Sequence, residues 1–143
     1  MDPAMASDGS SVRVPSSRPR ERLIAVRDAL VQLHKHVIDS ERIPYERTHG
    51  RIATSGEFLR LVLHDEWFAW LHPLSELIVA IDQALADEEP VTEANAAAFV
   101  ERTRALLTHG GPAFGPRYRD VLQRDPAVLV AHGHVIGRLA TVH

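Results

Sequence analysis

The sequence predicts an all-α fold: a single antiparallel bundle of four main helices with one or two short ones, preceded by a flexible N-terminal tail. Three observations carry that reading. Leu63, Trp67, Leu71, Leu74, Ile78, Ile81 and Leu85 recur in steps of four and three, which places them on one helical stripe. Helix start and stop signals punctuate the chain at Thr54/Glu57, Thr92, Gly110-Gly111 and Asp125-Pro126. Strict alternation of apolar and polar residues is poor even at 127–142, the segment richest in Val and Ile, so a β reading is weaker there than a helical one.

In chain order, residues 1–18 are rich in Ser, Pro, Gly and Asp and hold too little apolar area to offset the entropy of ordering, so they read as a tail. Met5 offers a second start within it. Residues 19–143 read as the helical domain. Its first helix spans about Pro19 to Ile38, with Leu23, Val26, Leu30, Leu33 and Val37 inward and His34 inside the apolar arc. An irregular connection follows, in which Pro44 and Gly50 break any helix. Thr54 with Glu57 has capping-box spacing and opens the next helix. A pause at His64-Asp65 lets Asp65 cap a further turn, and Pro73 kinks rather than ends a rod that reaches Ala86. Thr92 starts a helix whose inner face is Ala96, Phe99, Val100, Thr103, Leu106 and Leu107, and Gly110-Gly111 stops it. Pro112–Pro116 reads as a loop anchored by Phe114, followed by a short helix to Gln123. Asp125-Pro126 then opens the last helix, with Val128, Val135, Leu139 and Val142 inward beside His132.

Composition narrows the function. A net charge of −3 and 24% charged residues argue against nucleic acid and anionic membranes as partners, since both reward a strongly basic surface. The absence of cysteine removes thiolate chemistry, disulfides and Cys-based metal sites, and suits a reducing compartment. No apolar run reaches the roughly 20 residues that span a bilayer, and the N-terminus lacks a signal-peptide core. A cytoplasmic protein is the expectation. The block LHDEWFAWLHPLSELIVAID, about a seventh of the chain, resembles a stretch found in small uncharacterised bacterial proteins, a resemblance that implies no activity.

Nine histidines invite a search for metal or haem ligands. His34 and His132 fall in or beside the apolar arcs of their helices, and His64, Ser75 and Asp82 share one edge of the central stripe. If those faces meet, His34, His64, Asp82 and His132 form a candidate transition-metal or haem site, or an acid–base pair that Asp82 orients. The alternative is that each imidazole simply hydrogen-bonds a neighbour, as buried polar groups usually do. The bundle signature of carboxylate and histidine three or four residues apart on facing helices occurs only in fragments, such as Glu46-x-x-His49 in the connection. Ser75, His34 or His132, and Asp82 supply the ingredients of a hydrolase triad, but Ser75 lacks the strained glycine turn that exposes a nucleophile.

Arg42, Arg47 and Arg51 lie just before a helix N-terminus and form a candidate site for a small anion, diluted by Glu41 and Glu46. Trp67 and Trp70 are core residues or, with Tyr118, a protein–protein interface. With no catalytic motif, the expected function is a helical module that works by protein–protein contact, as a homodimer or adaptor. A metal- or haem-binding bundle is the alternative.

Overall fold

The computed structural model describes residues 13–140. Of the expected tail over 1–18, residues 1–12 lie outside the described residues, as does Val142. Within them the chain forms six α-helices and one 3₁₀ helix, with no strand. These are α1 (Arg13–His49), α2 (Ser55–His64), a 3₁₀ helix (Glu66–Leu71), α3 (His72–Ala86), α4 (Glu93–Thr108), α5 (Gly111–Arg124) and α6 (Pro126–Ala140). None of them is long and apolar enough to cross a membrane.

The first helix is longer than expected at both ends. It begins at Arg13 rather than Pro19, and the segment read as an irregular connection is its last three turns. The reason lies in the inner stripe. Leu23, Val26, Leu30, Leu33 and Val37 are fully buried, and the same register continues through Glu41 (3% exposed) to Tyr45 (8%). A proline inside a helix costs about 3 kcal/mol, and burial of these side chains offsets it at Pro44. The helix ends at Gly50, whose φ of +92° is the left-handed conformation that glycine adopts without strain.

The central rod is corrected in the opposite direction. Asp65 leaves the helical region (ψ 141°) and caps the next turn, its side chain accepting from the Trp67 N–H at 2.8 Å. Residues 66–71 then wind as a 3₁₀ helix, and Pro73 falls in the first turn of α3, where its missing N–H costs nothing. The tighter winding shifts the stripe. Phe68 (0% exposed) and Trp70 (7%) turn inward, while Leu59 (60%) and Leu63 (55%) are left outside.

Thr54 accepts from Glu57 N–H at 3.1 Å, and the Glu57 carboxylate reaches back to the Ala53 N–H, also at 3.1 Å, a capping box displaced by one residue. At Thr92 the reciprocal pair is completed by Asn95. Gly110, at φ +67°, ends α4, and α5 starts at once with Pro112 in its first turn, so the expected loop at 112–116 is helical. Gly115 permits that sharp junction, since a Cβ there would lie 2.5 Å from the His109 carbonyl oxygen. Asp125 caps α6 through Ala127 N–H at 2.9 Å, as the Asp-Pro pair predicts.

α1 is the hub. It packs most extensively on α6 and then on α3 and α4. Contacts that rise along α1 fall along α3 and the 3₁₀ helix: Arg20 meets Leu85, Arg27 meets Asp82, His34 meets Ser75 and Glu41 meets Trp70. The two elements therefore run in opposite directions. α6 likewise begins beside Ser40–Arg47 and finishes beside Glu21–Asp28.

Candidate functional site: a polar seam along α1

Arg20, Arg27, His34 and Glu41 are spaced by seven, two helical turns, so they form a line along α1 at the edge of its apolar stripe. Each has its own partner across the interface. The Arg20 guanidinium donates to the Leu85 carbonyl at 2.9 Å. Arg27 Nε donates to Asp82 at 2.8 Å, with both side chains about two-fifths exposed, so the pair is solvated and weak. The Arg27 guanidinium is held above its ordinary pKa first by its bond to Asp28 and then by Asp82.

Deeper in, His34 Nε2 lies 2.9 Å from Ser75 Oγ, and burial pulls the imidazole pKa below its usual value. The imidazole is thus neutral at pH 7. The seam closes on Glu41. Its carboxylate accepts from Trp70 Nε1 (3.2 Å), Arg117 Nη2 (3.3 Å) and Arg124 Nη2 (2.8 Å). Arg117 also lies over the Trp70 ring at 5.4 Å, and Arg124 donates to Ser40 Oγ at 3.2 Å. One buried charge therefore joins α1, the 3₁₀ helix and α5.

The residues proposed for a metal are dispersed. His34 is paired with Ser75, Asp82 with Arg27, and His64 is exposed at the end of α2. His132 Nδ1 meets the Tyr118 hydroxyl at 2.6 Å. Burial pushes that phenol up and that imidazole down, so both rings are neutral at pH 7 and share this one hydrogen bond. Among the described residues no group of three or more His, Asp or Glu side chains is placed to hold a metal ion. The hydrolase ingredients meet only in part. Ser75 and His34 are in contact, Asp82 is committed to Arg27, and Ser75 sits inside α3 rather than on a sharp turn.

Nor do the three arginines converge. Arg42 donates to Glu46 (3.3 Å) and to the Ile52 carbonyl (3.2 Å), and stacks over Phe58 at 4.8 Å. Glu46 is held below the usual carboxylate range, first by the Ile52 N–H and then by Arg42. Because the segment is helical, Arg47 lies about 140° round the axis from Arg42, and Arg51 follows beyond Gly50. Of the two readings of the aromatic residues, core or interface, burial favours the core for two of the three. Trp70 and Tyr118 (1% exposed) pack in the core on Phe114, at 5.6 and 5.1 Å. Only Trp67 is half-buried, edge-on to Tyr45 and His49.

Sequence reasoning missed the Glu41 cluster, although signals were there. The heptad of polar residues on α1 was one, and the seven-residue spacing of Arg117 and Arg124 on α5 was another. Comparison of the chain with family models, with characterised proteins and with solved structures finds no match in any of the three.

Proposed function

We propose that this chain is a non-enzymatic helical module, with α1, α3, α4 and α6 as one antiparallel bundle, that acts by contact with another protein, in the first instance a second copy of itself. The observation that carries the reading is the outer face of α2. Leu59 and Leu63, one turn apart, are 60% and 55% exposed, while Phe58, Leu61 and Val62 already supply the face that α2 turns inward. Two large aliphatic side chains aligned on one exposed helix face form an anchor pair of the kind that packs into a partner helix. In the interior, His34, Asp82, His132 and Glu41 are each engaged by a neighbour within the chain, which leaves the exposed α2 face as the feature that calls for a partner.

Light scattering coupled to gel filtration over a wide concentration range tests the proposal. A mass above the 15.9 kDa of one chain is expected, reduced to one chain by Leu59→Glu with Leu63→Glu. A single chain at every concentration, or an assembly that the double substitution leaves intact, overturns it.

A further inference from the structure

A cleft of about 380 Å³ opens where the C-terminal turns of α1 meet the junction of α5 and α6, lined by Ser40, Ile43, Pro44, Arg47, Arg124 and Asp125. That volume is at the small end of the range for ligand sites, roughly 300–1,000 Å³. We propose that it binds a small amphipathic monocarboxylate, with the carboxylate on Arg47 and the aliphatic portion against Ile43 and Pro44.

The chemistry of the walls selects this class. Arg47 is exposed, and no carboxylate of the described residues pairs with it. Arg124, on the opposite wall, is already shared among Glu41, Ser40 and Asp120, so it shapes the cleft while Arg47 supplies the uncommitted charge. A guanidinium fork matches a carboxylate bidentately. Ile43, 54% exposed, and the ring of Pro44 form an apolar wall next to it, which inorganic anions cannot use. Asp125, whose side chain accepts from the Ala127 N–H, keeps a negative charge at the rim and disfavours a doubly charged phosphate. One free positive charge beside an apolar wall and a carboxylate suits a monoanion with a hydrocarbon chain.

The test is a calorimetric titration of the full chain with hexanoate, with acetate, inorganic phosphate and hexanol as comparisons. Saturable hexanoate binding is expected, with each comparison weaker by about tenfold or more. Arg47→Ala, which removes a charge-assisted hydrogen bond, and Ile43→Asn, which removes apolar contact with the chain, are both at exposed positions and should each weaken hexanoate binding by about tenfold. Arg51→Ala, outside the cleft, should leave it unchanged. Circular dichroism establishes that the variants fold. Absence of hexanoate binding, phosphate binding as tight as hexanoate, or an affinity indifferent to Arg47→Ala overturns the proposal.

Discussion

Replacing Glu41 by alanine removes the acceptor on which three elements converge, and its cost can be worked from the contacts. The carboxylate is 3% exposed and takes three hydrogen bonds, from Trp70, Arg117 and Arg124. The arginine side chains are 51% and 40% exposed, so on losing Glu41 they turn to water, and each pair contributes only about 0–1 kcal/mol. The Trp70 indole N–H is different. It sits in a residue 7% exposed and is left without a partner, which costs about 1–3 kcal/mol. The lost packing of the one side-chain methylene that alanine lacks adds about 1 kcal/mol, and release of a buried charge returns part of the total. A net loss of about 2–4 kcal/mol results. With a urea slope of about 1–3 kcal/mol per molar, the unfolding midpoint followed by tryptophan fluorescence should fall by about 1–2 M. Arg117→Ala and Arg124→Ala should each cost less, and Glu41→Gln, which keeps an acceptor for Trp70, should fall between. A Glu41→Ala variant within about 0.5 kcal/mol of the parent, the ordinary range for surface substitutions, would refute the reasoning. So would a larger loss from either arginine.

Three other outcomes follow from the same structure. Gly110→Ala places a Cβ 2.8 Å from Phe114 Cδ1 at a φ of +67°, and should lower stability by at least about 2 kcal/mol in the same urea assay. Gly137→Ala, helical with open space around it, should raise stability by about 0.5–1 kcal/mol. Stability should also fall with acid near neutrality. His34 and His132 both have folded pKa values below the usual 6.5, so between those lowered values and 6.5 the unfolded chain binds more protons than the folded one. Their contribution is complete above about pH 6.5 and is lost as pH drops through that window. Denaturation midpoints measured stepwise from pH 8 to 5.5 should show the slope, and His34→Asn with His132→Asn should flatten it.

The apolar periodicity made the helices legible, and the short-range capping pairs made their starts legible. Thr54, Thr92 and Asp125 cap where their sequence neighbours say they should. What was hidden depends on tertiary context. Pro44 is a local stop signal that the buried Tyr45 and Glu41 override, and Pro73 is a local kink signal that becomes a helix start once Asp65 has ended the preceding helix. A stripe that keeps its phase in sequence cannot reveal a change of winding, so Leu63 was placed on the inner stripe, whereas with the 3₁₀ helix in place Leu63 is 55% exposed and Phe68 is buried. The site was legible only in pieces. His34 was placed in the apolar arc of its helix and Ser75 at the edge of the central stripe, yet which side chain each would meet depended on how α1 and α3 align. The Glu41 cluster joins residues up to 83 positions apart, a distance at which periodicity carries no information.

The polar seam, the Glu41 cluster and the cleft all require α1 to remain one helix through Pro44. Backbone carbon chemical shifts of the uniformly labelled chain test that most directly. Uninterrupted helical values from Leu23 to Thr48, ending at Gly50, are the expected result. Coil values across 40–48 would contradict it, because Ser40, Glu41, Ile43 and Arg47 would then have no fixed faces from which to meet α5 and α6.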